Sequence, residues 1–283
     1  MFLCNHIWIE YRKVKDSVSI RTPSIVSAAA CALLLLPIAS HSGPERNIRN
    51  HLAIGAINRS YELHLPAGYT GRIPVPLVVV LHGSNASGMI IRVYTRFNES
   101  ADQHNFIVVY PDSYGEYWND GRIDMNSFSF KANIDDVKFI SVLIDHIRSR
   151  YRVDRTRVYI VGFSNGGMMA LRCVVTIPEK LAAAACVSGS LPKHLSLVKP
   201  AMPVPVLLIH GTDDPVVPWA GGKLERGDSN HGKVLSVLDN AIYWADQNQC
   251  IIRAGVRLLP DLDPDDGTLV FQMTYECLKP GSE

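Results

Sequence analysis

The 283-residue chain carries almost no charge of one sign: 28 Lys and Arg stand against 27 Asp and Glu, a formal net charge of +1. No basic stripe recurs at helical spacing, which argues against nucleic acid and anionic surfaces as partners. Metal-ligand spacing is equally scarce. The 10 histidines are scattered with no H-x-x-x-H, and the 6 cysteines include no C-x-x-C. Asp261, Asp263, Asp265 and Asp266 cluster in PDLDPDDG, but Gly267 comes one place late for an EF-hand and Gln272 stands where the closing glutamate belongs. A proline-stiffened acidic turn is the expectation there. No G-x-G-x-x-G fingerprint, internal repeat or low-complexity linker is present, so neither a metal nor a cofactor is expected. The apolar run at 25–38 is too short for a bilayer span, which needs about 20 residues.

That run has the length of a signal h-region instead. Arg12, Lys13, Lys15 and Arg21 precede it, and Ser40-His41-Ser42 offers small residues at the −3 and −1 positions of a cleavage site. Residues 1–42 therefore read as a signal peptide with an extended n-region. The mature chain is expected to be secreted or periplasmic, with no stable membrane insertion once the signal is cleaved. Cys31 has leucines after it rather than before it, unlike a lipoprotein box. Outside the leader remain Cys173, Cys186, Cys250 and Cys277, an even number in a compartment that permits pairing. Cys250 closes a helical run and Cys277 a strand-like run around a polar, proline-containing excursion, and they form the expected disulfide. Cys173 and Cys186 lie in apolar runs, as small buried hydrophobes do.

Along residues 43–283, continuous or alternating β-branched runs predict strands at 59–66 (RSYELHLP), 75–81 (VPLVVVL), 106–110 (FIVVY), 158–161 (VYIV), 182–187 and 204–210 (VPVLLIH). Helices are expected at 90–104, 165–176 and 233–249. Another spans 134–151, where Ile134, Val137, Ile140, Ile144, Ile147 and Tyr151 recur every three or four residues. Strands alternating with helices imply one α/β domain with a mostly parallel sheet covered on both faces. Residues 112–132 lack periodicity, and an aperiodic stretch of that length in a compact domain is usually functional.

Gly162-Phe163-Ser164-Asn165-Gly166 is a G-x-S-x-G pentapeptide placed where a buried strand turns directly into a helix. Such a turn strains the serine backbone and lifts Oγ above the sheet, and its glycines are needed where strand and helix close up. Ser164 is therefore the candidate nucleophile. The backbone N–H groups of Asn165 and of Ser84, in His82-Gly83-Ser84, form the expected oxyanion hole. His82 precedes the serine, whereas this fold runs Ser, acid, His, so a structural role is expected of it. The acid is Asp214, after the strand at 204–210, with adjacent Asp213 as the alternative.

VVVLHG, YWNDGR after FIVVYPDSYG, IDDVKFISVLID, RVYIVGFSNGGMMA and LLIHGTDDPVVPW together resemble the secreted esterases that join polyhydroxybutyrate depolymerases with feruloyl esterases, close to carbohydrate esterase family 1. The likeness runs from about Ser60 to Cys277. It implies the α/β-hydrolase fold, Ser164 as nucleophile, Asp214 as acid, Ser84 and Asn165 in the oxyanion hole and Trp118 beside the acyl pocket. It also implies the pair Cys250–Cys277 and an ester substrate, a hydroxyalkanoate or hydroxycinnamate ester. Members of that family continue with one more strand and a glycine-rich turn that carries the catalytic histidine, whereas this sequence stops at Tyr275–Glu283, where that strand begins. The expectation is a domain lacking its last strand and helix, with a neighbouring strand left as a bare edge. The only histidine after Asp214 is His231, in a polar stretch that matches a variable loop of the family. Two functions follow: a serine ester hydrolase acting through a Ser164 acyl-enzyme, or a non-catalytic secreted binding module that keeps the pocket.

Overall fold

A computed structural model describes residues 6–14, 47–123, 127–226 and 229–277. The apolar run at 25–38, the residues 40–42, Cys4 and Cys31 lie outside the described residues. In chain order the strands are β1 (His6–Val14), β2 (Asn47–Ile54), β3 (Ile57–His64), β4 (Val75–Leu81), β5 (Ile107–Pro111), β6 (Val153–Phe163), β7 (Ala183–Val187), β8 (Val206–Gly211), β9 (Gly222–Arg226), β10 (Ser229–Val234), β11 (Cys250–Leu258) and β12 (Thr268–Cys277). The helices are α1 (Gly88–Thr95), α2 (Phe97–His104), α3 (Phe128–Lys131), α4 (Asp136–Arg150), α5 (Asn165–Thr176) and α6 (Val237–Gln247). One ten-stranded sheet runs β11-β12-β1-β8-β7-β6-β4-β5-β3-β2, and β9 and β10 form a separate hairpin. From β1 to β5 every neighbouring pair is parallel, and an antiparallel hairpin closes each end.

Side chains alternate across β4, so its two faces build two cores. Leu77, Val79 and Leu81 join the main cluster with Phe139, Ile140 and Leu143 of α4, residues of α5, and Trp244 of α6. Val78 and Val80 pack on the other face with Ile91 of α1, Ala101 of α2, Val108 and Tyr110. The β-branched runs thus occupy the two-sided strand positions that their composition demands.

Several expectations shift for local reasons. The helix expected at 90–104 is two helices, because Arg96 adopts a left-handed conformation (φ 53°) that ends α1 and starts α2. The helix expected from 233 begins at Val237, capped by Ser236, whose side chain accepts from the Asp239 N–H; Lys233 and Val234 pair into β10 instead. The same helix ends at Gln247, so Cys250 opens β11 rather than closing a helix, and it faces Cys277 across the β11–β12 ladder. The largest difference concerns the strand at 204–210. Observed as β8, it is not bare on its outer side. Residues of the expected n-region form β1 and pair parallel with it from Trp8 opposite Leu207 to Arg12 opposite Gly211, and β12 pairs antiparallel on the far side of β1. Backbone hydrogen bonding has no substitute at a sheet edge except another strand or water, which is why this segment can enter the ladder.

Candidate active site

Four helices begin with a residue whose side chain takes up one of their unpaired N–H groups: Ser87 for α1, Ser127 for α3, Asp135 for α4 and Ser236 for α6. Ser164 occupies the same place at α5 and makes no such bond. Its backbone is held at φ 54°, ψ −120°, a region that a non-glycine residue enters only when its surroundings force it. The Ser164 N–H donates to the Val187 carbonyl at 2.8 Å, and its own carbonyl accepts from the Met168 N–H at 3.0 Å. The flanking glycines make the turn possible: a Cβ on Gly162 would lie 2.1 Å from the Gly166 carbonyl oxygen, and one on Gly166 would lie 2.3 Å from that of His82. The serine hydroxyl is thereby lifted over the sheet and left uncommitted to the helix.

Ser164 follows β6 and Asp214 follows β8, with β7 between them and all three strands parallel. Both residues therefore stand at one edge of the sheet, with about 10 Å between the two strand tips. They line one cavity of about 460 Å³, together with Ser84, Phe163, Ser188 and Val216. Asp214 is oriented by its own turn: Oδ1 accepts from the N–H groups of Val216 (2.8 Å) and Val217 (2.9 Å). Asp213, by contrast, is exposed and lines neither this cavity nor its neighbour. His210 lies 3.6 Å from Asp214 Oδ2, but it is buried and its Nε2 hydrogen-bonds the Val217 carbonyl at 2.7 Å, which makes that nitrogen the donor.

His82 is structural in its contacts. Nδ1 donates to the Gly83 carbonyl at 2.6 Å and Nε2 accepts from the Ser113 N–H at 3.0 Å, so both ring nitrogens are used. Burial pushes its imidazolium pKa down, in keeping with the neutral tautomer these bonds require. Ser84 lines the large cavity and also a second one of about 30 Å³, close to the share of one water in the liquid. Asn165, Ser164, Tyr117, Arg122 and His231 line that narrow space too. The two residues expected to form the oxyanion hole thus line one space with Ser164, and the first N–H groups of α5 have no partner within the helix.

Trp118, expected beside the acyl pocket, packs behind the residues that line the two cavities. It is fully buried, lines neither cavity, and donates from Nε1 to the His82 carbonyl at 2.9 Å while its ring packs on the His82 ring at 5.1 Å. An indole with its N–H satisfied inside the core is a brace for the His82 turn rather than a surface for substrate.

The residues around it carry the roles that sequence reasoning left unassigned. The Asn165 side chain accepts from the Trp118 N–H and donates to the Trp118 carbonyl and to Asp120 Oδ2. Asp120 in turn holds Arg122 in a buried ion pair at 2.7 Å, and Arg122 donates to the His231 carbonyl at 2.8 Å. Asn119 is tied to Asp136 and to the Ile134 carbonyl. The aperiodic stretch is therefore a polar scaffold that fixes Asn165, the residue following Ser164. YWNDGR was the signal for it, through its density of groups that must find partners once buried. His231 enters the narrow cavity from the β9–β10 hairpin, its ring 6.2 Å from that of Tyr117, and no carboxylate is among the described residues that line that space. Asp266, in the acidic turn, uses Oδ1 to accept from the N–H and the hydroxyl of Thr268.

A serine at a strand-to-helix elbow, on the carboxyl edge of a mostly parallel sheet and two strands from a carboxylate, defines the α/β-hydrolase class. The chain belongs to the phospholipase/carboxylesterase family of that class, whose pattern matches residues 71–228. It is 33% identical over 195 residues to NocK of Nocardia uniformis subsp. tsuyamanensis, covering 65% of this chain and 52% of NocK. With feruloyl esterase B of Piromyces equi the identity is 29% over 199 residues, 68% of this chain and 36% of the relative. The chain thus spans about half the length of these curated relatives or less. Among solved structures, a pOPH variant in complex with DMSO superposes with a TM-score of 0.53 at 14% identity, covering 79% of this chain and 83% of the other, a likeness of fold alone.

Proposed function

We propose that the chain is a serine carboxylic-ester hydrolase acting through a Ser164 acyl-enzyme on esters of hydroxyacids or hydroxycinnamates. One observation carries the reading: Ser164 is the N-cap of α5, strained and with no capping bond, on the wall of a cavity that an oriented Asp214 also lines. In this reading Oγ attacks the ester carbonyl, and the Ser84 and Asn165 N–H groups receive the developing oxyanion. The name of the Piromyces equi relative supports hydroxycinnamates as one substrate class. The test is intact-mass analysis after exposure to p-nitrophenyl acetate, a hydroxybutyrate oligomer and methyl ferulate, beside a Ser164→Ala control. An acyl adduct or ester cleavage dependent on Ser164 is expected with at least one. The reading is abandoned if none appears above the control, with or without added imidazole.

A second reading, a secreted binding module that retains the pocket, is favoured by one observation: no histidine is among the described residues lining the cavity shared by Ser164 and Asp214. Without a base a serine is an unactivated alcohol, and loss of one triad member costs several orders of magnitude in rate. Saturable ester binding with no acylation of Ser164 under any condition would select it.

Export through a leader at 1–42 is likewise proposed, on the apolar run at 25–38. Cleavage there would also remove β1 and leave β8 and β12 each unpaired on one side. The Cys250–Cys277 disulfide belongs to the same proposal. Their facing register supports it, as does the disulfide-bonded state of Cys250.

A further inference from the structure

We propose that a separate cavity, back to back with the narrow space beside Ser164, binds the free carboxylate end of a hydroxyacid oligomer and so fixes which ester bond reaches Ser164. The identity of that ligand rests on the hydroxyacid-ester reading above. The cavity measures about 330 Å³, and Ile123, Lys193, His194, Leu197, Gly232 and Lys233 line it. Arg122 and His231 line the narrow space, while their chain neighbours Ile123 and Gly232 line this one. Consecutive Cα atoms stand about 3.8 Å apart, so the wall between the two is one residue thick. Gly232 permits that contact: at φ 79°, a Cβ there would lie 2.8 Å from the Arg122 Cβ and 3.0 Å from the Ile123 carbonyl oxygen.

Two cations face this cavity. Lys193 opens the short turn of helix at Lys193–Leu197 and Lys233 belongs to β10. Neither has an ion-pair partner among the described residues, and no carboxylate is among the described residues of the lining. Like charges that share one space are relieved by an anion between them. Burial, then the Arg172 cation, push the His194 imidazolium pKa down, and Asp120 opposes them. His194 thus adds a neutral hydrogen-bonding edge, and the lysines carry the charge.

The apolar part of the lining narrows the choice of anion. Ile123 and Leu197 are 52% and 87% exposed, so a ligand that covers them gains apolar burial. Phosphate has no apolar part to do this with. A neutral ester covers them and leaves the lysines without a counter-charge. A hydroxyacid oligomer meets both demands, with an aliphatic chain and one carboxylate at one end only.

With its carboxylate between the lysines, the chain crosses the wall over the exposed Ile123 and lays an interior ester against Ser164. The piece that bears the carboxylate is then the leaving alcohol, and the acyl-enzyme carries the remainder. Cleavage falls a set number of units from the anchored end. An ester without a free acid, such as p-nitrophenyl acetate, makes no use of the cavity.

The experiment is calorimetric binding of a hydroxybutyrate trimer, as free acid and as methyl ester, to the Ser164→Ala chain, which needs no turnover. The free acid is expected to bind about tenfold more tightly, the scale of two exposed ion pairs, and the preference should shrink in concentrated salt. Adding Lys193→Gln and Lys233→Gln should make the two forms bind alike. Equal binding of acid and methyl ester, or a preference that survives loss of both lysines, overturns the site. Hydroxybutyrate monomer binding as tightly as the trimer also overturns it, because the cavity then holds a lone acid and anchors no chain. p-Nitrophenyl acetate turnover by wild type against Ser164→Ala reads the hydrolase separately, and Lys193→Gln with Lys233→Gln should leave it unchanged. If that turnover is absent while the acid preference holds, the hydrolase reading falls and the carboxylate site stands.

Discussion

Replacing Asp136 by Asn should cost the fold about 3–5 kcal/mol, because it removes one half of an ion pair that has almost no access to water. Arg59 contacts Asp136 Oδ1 at 2.6 Å, and the two side chains are 3% and 0% exposed. The Arg59 guanidinium also lies 3.9 Å from the centroid of the Phe139 ring. Burial pushes the Asp136 carboxyl up and the Arg59 guanidinium down, each opposed chiefly by the other's charge. Asn keeps an oxygen for the Asn119 N–H, which Asp136 Oδ2 holds at 2.8 Å, so the substitution isolates the loss of charge from the loss of that bond. Of a total stability of about 5–15 kcal/mol this is a large share. For a domain of this size it corresponds to a midpoint lowered by about 6–20 °C. Urea unfolding followed by tryptophan fluorescence gives the number directly. Adding Arg59→Met should then restore about 1–2 kcal/mol by removing the stranded cation. The argument is refuted if Asp136→Asn unfolds within about 1 kcal/mol of wild type, or if the second substitution destabilises further by its full separate cost.

Other expectations are simpler. Gly162→Ala puts a Cβ 2.1 Å from the Gly166 carbonyl oxygen, backbone that cannot step aside, so the variant should lose more than about 4 kcal/mol or fail to accumulate as soluble protein; a wild-type melting curve would contradict it. Asp154 accepts from Thr156 and Arg157, which lower its pKa to about 2. A folded pKa below the unfolded value of about 3.9 adds stability above that value and loses it as pH falls toward 2. The gap in urea midpoint between wild type and Asp154→Asn should therefore close between pH 4 and pH 2; a gap that stays constant across that interval would remove the carboxylate from the account.

The strands that were legible are those whose composition leaves no other choice. Val78, Val79 and Val80 read as a two-sided strand because β-branched residues in a run can be buried on both faces only within a parallel sheet, and β4 does so. The elbow was legible because Gly162 and Gly166 answer a local steric demand. What the sequence did not reveal depends on remote pairing. SNHGKV has neither period nor apolar weight, and it is a strand because GKLER lies against it. HIWIEYRKV is likewise a strand because the segments at 206–211 and 268–277 lie on either side of it. For Trp118 the resemblance carried the neighbourhood, while the direction of its ring follows from the remote His82 carbonyl that its Nε1 meets. Asp120 and Arg122 were missed since a buried pair two residues apart in a loop looks, in one dimension, like ordinary surface charge.

The position of β1 has a temporal consequence. Its parallel partner begins with Leu207 opposite Trp8, and its antiparallel partner is reached only at Thr268–Cys277. Contacts this distant in sequence are the slowest to form, because a long loop must close before any hydrogen bond rewards it. At synthesis rates of about 5–20 residues per second the first strand waits roughly 10–50 s for its last neighbour to emerge. Over that interval β4 to β7 can assemble without it. A chain that keeps its N-terminus therefore completes its sheet with the segment made first, and the order of translation runs opposite to the order of closure.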